Sequence, residues 1–293
     1  MCYRADQFPP AISESLPQPR SPVVLWLFGA RRSQQLNSTC FVYREGHRMG
    51  SAMQREIVQR AFHGPADPEV TAITHGKGAW PVSEPMAQYL FRLILALRPR
   101  SVLEFGAGWS SAVIARALSR VDQGGRLTSL DSTDRFCGTP WKEVRRLPNV
   151  DPVLSISDLR LRVGLEGLSY TYAAIAQVAA RRGPFDFLFI DAPPGVYGRY
   201  GTVFSVKRHL VPGAVIVLDD AARSDEIAAV KKWARLLGGL ECQVHDTAFS
   251  RGIAVLTVER ALRQTFRLRP FLRSMLDQYR LYRERRPSSA TCG

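Results

Sequence analysis

The segment SVLEFGAGWSSAVIARAL, residues 101–118, combines an acidic residue, two glycines and a serine pair. Glu104 ends an apolar run of the β-strand type, and after Gly106 and Gly108 the apolar residues follow a helical period. A glycine turn between a strand and a helix presents backbone N–H groups and a helix N-terminus to a ligand. The spacing predicts a site for a nucleotide-like cofactor, with an ordinary strand-to-helix turn as the alternative.

Two carboxylates narrow the choice of cofactor. Asp131, at the end of the next predicted strand in LTSLDS, is placed to accept hydrogen bonds from both hydroxyls of a ribose. Glu104, two residues before the first glycine, would repel a pyrophosphate at the turn but would pair with a cationic α-amino group. S-adenosylmethionine carries such an amino group beside an adenosine and has no phosphate. The residues therefore favour S-adenosylmethionine over a dinucleotide.

Three more aspartates follow predicted strands. Asp191 ends FDFLFID, and Asp219 and Asp220 end the next strand in GAVIVLDD. The carboxyl ends of parallel strands lie at one edge of a sheet, so these carboxylates would repel one another unless a cation or a proton joined them. Alternatively, Asp220 caps the following segment and Asp191 contacts substrate or cofactor.

The loop PPGVYGRYG, residues 193–201, is predicted to hold the acceptor. Tyr197 and Tyr200 would stack on it, and Arg199 would bind an anionic group. A solvated surface position is the alternative for Arg199.

The elements that must position these residues alternate between strand and helix. Seven strands are predicted, namely SVLEF, RLTSLD, DPVLSIS, FDFLFID, GAVIVLD, LECQVHD and GIAVLTVE, with helices that include YTYAAIAQVAARR and GTVFSVKRHL. The last two strands are joined by only TAFSR, which is too short for a parallel crossover. The pattern predicts an α/β fold, a doubly wound, Rossmann-like seven-stranded sheet with an antiparallel final strand.

These motifs resemble those of one family. VLEFGAGWS resembles motif I of the class I S-adenosylmethionine-dependent methyltransferases, LDS resembles their acidic motif II, and FDFLFIDAPPG with LVPGAVIVLDDA is similar to motif IV and beyond. The resemblance covers residues 76–259, with Ser110 in place of the third glycine of the usual ExGxGxG. It implies a cofactor site formed by Glu104, Gly106, Gly108, Trp109, Ser110, Asp131, Ser132 and Asp158.

Within that set, Asp158 in SISDLR would lie near the adenine, and its alternative role is a helix cap. In HGKGAWPVSEP, residues 75–85, the family often folds a lid over the cofactor, which makes Trp80 and Ser83 candidates. Trp80 is equally consistent with the core.

The resemblance to catechol-type O-methyltransferases also implies a metal. In those enzymes such an aspartate set binds Mg²⁺, which lowers the pKa of the acceptor hydroxyl. Asp191, Asp219 and Asp220 are the predicted ligands here. Two departures are Asp220, where those enzymes tend to have asparagine, and the absence of a lysine three residues after Asp191. If no metal is bound, Asp191 is predicted to act as a general base or orienting group. Arg199 is the second predicted catalytic residue.

Charge divides the chain into three parts. The net charge is +14 at pH 7, and residues 260–293 hold nine arginines against two acids. We expect a poorly ordered extension at residues 1–48, a methyltransferase-like domain at 49–259 and a basic amphipathic helical tail at 260–293, with its helix over Pro270–Arg286. The basic face of that tail is predicted to touch an anionic surface, although docking on the protein body is the simpler expectation.

The cysteine content and the length of the apolar runs indicate the cellular environment that we expect for the protein. The five cysteines are odd in number and widely spaced, with no CxxC pair, which favours a reducing, cytoplasmic environment. The longest apolar runs are well short of the roughly 20 residues that cross a bilayer, so no transmembrane segment is expected.

The predicted function is O-methylation of a small-molecule or sugar-like hydroxyl. A non-catalytic binding protein with the cofactor fold and an RNA-associated methyltransferase are alternatives. An NAD-linked oxidoreductase is a further one, which Glu104 and the lack of a Tyr-x-x-x-Lys motif oppose.

Overall fold

A central sheet organises the computed structural model, which describes residues 51–75, 82–193, 199–269 and 271–276. The predicted extension at 1–48, Trp80 and Tyr197 lie outside these residues. The strands are β1 (Ser101–Phe105), β2 (Gly125–Asp131), β3 (Val150–Ile156), β4 (Leu159–Gly164), β5 (Gly167–Tyr172), β6 (Phe185–Ile190), β7 (Leu210–Asp219), β8 (Leu237–Asp246) and β9 (Ile253–Gln264).

Seven of these strands form one sheet, in the order β3-β2-β1-β6-β7-β9-β8. Strands β3, β2, β1, β6 and β7 pair in parallel, whereas β9 is antiparallel to both β7 and β8. The predicted α/β, Rossmann-like sheet with an antiparallel final strand is confirmed. The short connection between β8 and β9 imposes this direction, because a parallel crossover needs a dozen or more residues.

Helices cover both faces of the sheet. They are α1 (Ser51–Arg60), α2 (Pro68–Thr74), α3 (Glu84–Leu97), α4 (Trp109–Ser119), α5 (Gly138–Val144), α6 (Ile175–Arg182), α7 (Tyr200–Val206) and α8 (Ser224–Leu236). Proline in the first turn and the Ser83 hydroxyl, which accepts the Met86 N–H at 3.4 Å, begin α3.

Successive residues of the central strands pack into two different cores. Phe187 and Phe189 of β6 join the core with α1 to α5, whereas Leu188 and Ile190 join the core with α6 to α8. Because both faces are covered, these strands have nearly continuous apolar sequences instead of an alternating pattern.

The segment after β3 differs from the prediction. The helix predicted for YTYAAIAQVAARR begins only at Ile175, because Gly167–Tyr172 forms β5 and pairs with β4 as an antiparallel hairpin. The run Tyr170, Thr171, Tyr172 has the aromatic and β-branched character that strands prefer. Helix α7 is likewise shorter than GTVFSVKRHL, since Leu210 already begins β7.

The basic tail begins later than predicted. Strand β9 continues to Gln264, which moves the boundary beyond residue 259. Residues 268–269 and 271–276 are helical, so the helix begins before the predicted start at Pro270, and residues 277–286 of the predicted helix lie outside the described residues. Ser274 is fully buried, and its hydroxyl donates a hydrogen bond to the Leu168 carbonyl at 3.4 Å. In the described residues, no helix is both long and apolar enough to span a membrane.

Trp233 offers a test of the packing beneath α8. The side chain is fully buried, and Nε1 donates a hydrogen bond to the Tyr200 carbonyl at 2.9 Å, which fixes α8 against α7. We expect Trp233→Ala to lower the free energy of unfolding by about 3–5 kcal/mol in urea titrations. The control Met53→Ala, at a side chain that is 57% exposed, should change it by less than about 0.5 kcal/mol. Equal effects of the two substitutions would contradict this packing.

Candidate active site

Glu104 lies beneath the glycine turn and not on its surface. The side chain is fully buried. Its Oε1 accepts a hydrogen bond from the Ser110 hydroxyl and its Oε2 one from the Ser111 hydroxyl, both at 2.6 Å. Ser129 of β2 also donates its hydroxyl to Oε2. Burial raises the pKa of Glu104 to about 7, although these three donors act in the opposite direction. Through these hydrogen bonds, Glu104 links the first turn of α4 to β1. Its carboxyl group lies on the buried side of the glycine turn.

Gly106 brings the turn against the end of β6. Its φ is +98°, in the left-handed region, and a Cβ atom there would lie 2.9 Å from the Ala192 Cβ. The Phe105 carbonyl accepts hydrogen bonds from the N–H groups of both Asp191 and Ala192 at 2.9 Å. The predicted cofactor turn and the predicted catalytic aspartate are therefore joined directly through the backbone.

Asp131 is held by backbone donors on either side. Its Oδ2 accepts the Ala107 N–H at 2.8 Å, and its Oδ1 accepts the Thr133 N–H at 3.1 Å. Each carboxylate oxygen can accept more than one hydrogen bond, so both oxygens keep acceptor capacity for a ligand. The structure thus brings Asp131 to the glycine turn, as the sequence predicts.

The outer part of this site is formed by other residues of the predicted set. Gly108 and Trp109 are half-buried at the start of α4, Ser132 is exposed just after β2, and Ser110 is buried. Ser110 is linked to the site by the hydrogen bond that its hydroxyl donates to Glu104.

Asp158 lies beside a cavity of about 400 Å³. The Ser157 N–H donates to the Asp131 carbonyl at 2.8 Å, which places this segment next to the ribose candidate. The Ser157 hydroxyl, and not Asp158, accepts the Ala174 N–H before α6, so the helix-cap alternative for Asp158 is wrong. The cavity is lined by Ile156, Ser157, Asp158, Arg160, Ala173 and Ala174.

Arg199 lies at the centre of the aspartate cluster. It is 2% exposed, so the prediction of a solvated surface position is wrong. Its Nη2 donates to Asp191 Oδ1 and to Asp220 Oδ2, both at 2.9 Å, and Nη1 donates to the Asp219 carbonyl at 2.6 Å. Glu226 Oε1 lies 3.5 Å from Nε. With its guanidinium committed to these groups, Arg199 is an internal counter-ion and not the predicted clamp for an anionic acceptor group.

Two further arginines approach Asp220 from the solvent side. Arg223 Nη2 lies 2.9 Å from Oδ2, and Arg251 Nε lies 3.1 Å from Oδ1. Asp220 has a φ of +55°, which is uncommon for a residue other than glycine. Its N–H donates to Asp219 Oδ1 at 2.7 Å. The ion pairs and this bond hold Asp220 in a strained conformation at the edge of the sheet.

The three aspartates differ in their access to a substrate. The Asp191 side chain is 32% exposed, compared with 1% for Asp219 and 4% for Asp220. Burial and the nearby Asp219 carboxylate raise the pKa of Asp191 to about 7, whereas Arg199 acts to lower it. Asp191 is therefore the member of the cluster that can meet a ligand and change its protonation near neutral pH.

Sequence reasoning missed part of this cluster. Arg251 lies in TAFSR, a segment whose length alone supported a prediction. Arg223 follows Asp220 by three residues. Tyr200, predicted to stack on the acceptor, is instead a core residue whose hydroxyl donates to the Glu166 carbonyl at 2.9 Å. The short spacing from Asp220 was a sequence signal for Arg223, whereas Arg251 is far from Asp220 in the sequence and had no such signal.

Comparisons with known proteins indicate the class of this domain. Residues 103–221 match the family model of a methyltransferase domain. A catechol O-methyltransferase of Niastella koreensis is 29% identical over 155 residues, which cover 52% of this chain and 63% of that protein. The chain thus matches less than two thirds of the length of this relative.

Solved structures of methyltransferases are also similar to this chain. An S-adenosylhomocysteine-bound methyltransferase of Podospora anserina is 14% identical with a TM-score of 0.47, covering 73% of this chain and 99% of that one. An S-adenosylmethionine-dependent O-methyltransferase of Thermotoga maritima is 14% identical with a TM-score of 0.45, covering 68% and 73%.

The methyltransferase-domain match over residues 103–221 and the catechol O-methyltransferase relative support the class I S-adenosylmethionine-dependent methyltransferase superfamily. The resemblance predicted from VLEFGAGWS and the motifs after it is confirmed for this part of the chain.

The buried Glu104 makes stability depend on pH. The folded protein keeps a proton on Glu104 up to about pH 7, whereas the ordinary value is 4.5. Between these values the folded state binds more protons than the unfolded state, so the contribution of Glu104 to the free energy of unfolding falls as pH rises. We expect Glu104→Gln, relative to wild type, to gain stability from about pH 4.5 to about pH 7 and to level off above.

Urea unfolding of the cofactor-free protein at several pH values measures this difference. The matched control is Glu56→Gln in α1, where the glutamate side chain is 57% exposed and the Glu104 cluster is untouched. Wild-type and Glu104→Gln curves that stay parallel across this range would show that Glu104 is not protonated in the folded protein.

Proposed function

We propose that the chain is an S-adenosylmethionine-dependent O-methyltransferase that acts on the hydroxyl group of a small molecule. One observation carries the proposal: the Phe105 carbonyl accepts the N–H groups of Asp191 and Ala192, so the cofactor turn and an accessible aspartate are adjacent. The methyltransferase family match and the catechol O-methyltransferase relative support the reaction class.

The geometry of the turn supports the following cofactor contacts. Asp131 would bind the ribose hydroxyls, the cavity beside Asp158 would hold the adenine, and the rim at Gly108 and Trp109 would face the methionine part. Because the pKa of Glu104 is raised to about 7, a positively charged ligand at the turn would favour its ionised form and bind to it, whereas a diphosphate would be repelled by that form. When bound, the cofactor supplies an electrophilic methyl group on a sulfonium.

Asp191 is the proposed general base. In methyl transfer the acceptor oxygen forms a bond to the methyl carbon, the carbon–sulfur bond breaks with its electrons left on sulfur, and the hydroxyl proton must leave. Asp191 accepts that proton, because its carboxylate is the exposed member of the cluster and its pKa lies near neutrality. Arg199, bonded to Asp191 Oδ1, keeps the carboxylate oriented.

The described arrangement does not fit a divalent ion between the aspartates. Arg199 Nη2 occupies the position between Asp191 and Asp220 that a shared cation would take. Within the described part of the chain, no group of three or more His, Cys, Asp or Glu side chains is arranged to hold a metal. We therefore propose that Arg199 is the cation of this cluster, and Mg²⁺ bound by Asp191, Asp219 and Asp220 stays a prediction that a chelator can decide.

Titration calorimetry tests which cofactor the protein binds. We expect S-adenosylhomocysteine to bind with micromolar affinity and NAD not to bind, and Asp131→Ala to weaken binding by about 1–3 kcal/mol through the loss of ribose hydrogen bonds. The control is Asp134→Ala, an exposed aspartate in the same segment, which should bind normally. Tight NAD binding without a response to S-adenosylhomocysteine would contradict the proposal.

Transfer of a labelled methyl group tests the chemistry, with catechols as the first acceptors and phenols and sugars next. We expect Asp191→Asn to lower kcat by about 100-fold or more while cofactor affinity is retained. The ionised base is the active form, so kcat/KM should rise as pH passes about 7. Arg251 lowers the pKa of Asp191, so Arg251→Gln should move this rise to higher pH.

The control for that shift is Arg263→Gln, at an exposed position of β9 remote in sequence from the aspartates. Activity should be unchanged by EDTA. Loss of activity with EDTA and its return with Mg²⁺ would establish the metal mechanism in place of the arginine one, and full activity of Asp191→Asn would place the base elsewhere.

A further inference from the structure

The β4–β5 hairpin exposes apolar side chains outside the main sheet. Leu161, Val163 and Leu165 are 55%, 58% and 52% exposed. Leu161 and Val163 lie on one face of β4, because alternate residues of a strand share a face, and Tyr170 is the register partner of Leu161 on that face. A soluble hairpin normally turns such residues toward a core.

The helical tail exposes a second apolar row. Leu268, Leu272 and Leu276 are 58%, 49% and 58% exposed. Their spacing of four residues places them along one side of the helix. The helix contacts the hairpin where Ser274 packs on Gly167 and bonds to the Leu168 carbonyl. The two rows are thus on adjoining elements, and we call them together the hairpin–tail surface, formed by Leu161, Val163, Leu165, Leu268, Leu272 and Leu276.

Exposed charge on the same elements is of one sign. The sequences of residues 159–172 and 260–276 contain one acid, Glu166, which is buried and accepts a hydrogen bond from Gln264 at 2.9 Å. The exposed charged residues of the hairpin and of residues 265–276 are Arg160, Arg162, Arg267, Arg269 and Arg273.

We propose that the hairpin–tail surface binds the surface of a membrane that contains anionic lipids. Exposed leucine and valine side chains can insert among acyl chains, and the surrounding arginines can pair with anionic headgroups. A second copy of the chain fits less well, because a two-fold contact would bring the same arginines of both copies together. Single-stranded RNA fits less well because its bases stack on aromatic side chains, and the six aliphatic side chains of this surface outnumber the exposed Tyr170 and Phe266 of the same segments.

Vesicle flotation with the full chain tests the proposal. We expect binding to vesicles of phosphatidylcholine mixed with phosphatidylserine and little binding to phosphatidylcholine alone. The charge variant Arg162→Gln/Arg269→Gln/Arg273→Gln should weaken binding by about fivefold per arginine, since each arginine near an anionic surface contributes on that scale. Leu272→Ser/Leu276→Ser should also weaken it.

Matched controls are Met53→Ser, at an exposed apolar side chain of α1, and Arg60→Gln, at an arginine whose side chain is 77% exposed. Both should bind vesicles like wild type. All variants should keep the wild-type unfolding midpoint and S-adenosylhomocysteine affinity, so this test is independent of the proposed activity.

Equal vesicle binding by wild type and by the arginine and leucine variants would overturn the proposal, as would no binding by wild type. A dimer seen by light scattering that Leu272→Ser/Leu276→Ser dissociates would assign the surface to a second copy. Tighter binding of fluorescent polyuridine than of anionic vesicles, abolished in the charge variant, would assign it to RNA.

Discussion

The burial of several carboxylates at one edge of the sheet is the constraint on which the site depends. Asp219, Asp220 and Glu226 are almost fully buried, and Asp191 is partly so. Uncompensated charges in such a place would be strongly destabilising. Arg199 lies against the carboxylates of Asp191, Asp220 and Glu226, and it contacts Asp219 through the main-chain carbonyl. The ends of β6 and β7 and the beginnings of α7 and α8 therefore meet around one guanidinium group.

Buried carboxylates have different partners in the two halves of the site, the aspartate cluster around Asp220 and the cluster around Glu104. The Asp220 side has arginines within ion-pairing distance, whereas the three side-chain donors to Glu104 are neutral serine hydroxyls. The pKa of Glu104 is accordingly raised to about 7. In the proposed function, the cofactor brings the positive charge that the protein itself does not place at the turn. In that proposal, the Glu104 side would suit a cationic cofactor and the aspartate side a neutral acceptor.

The sequence was sufficient for the parts of the fold that repeat a pattern. Strand and helix alternation, the length of TAFSR and the position of each aspartate after a strand led to the correct sheet and to Asp131 beside the turn. It was insufficient where partners are distant in sequence: Arg199 contacts Glu226 and Asp219 only because two helices and a strand converge. The β4–β5 hairpin was missed because the four central residues of β4 are all exposed, so burial imposed no one-sided apolar pattern on that strand.

Because the Phe105 carbonyl accepts the N–H groups of Asp191 and Ala192, the position of Asp191 and the sequence of the following loop can change independently. The spacing between the cofactor turn and Asp191 is set by main-chain hydrogen bonds, which side-chain substitutions leave in place. In the proposed function, substitutions at residues 194–198 would leave these main-chain bonds in place, and with them the spacing between Asp191 and the cofactor turn. New acceptors could then arise through changes in that segment alone, which would make it the natural place to redesign selectivity.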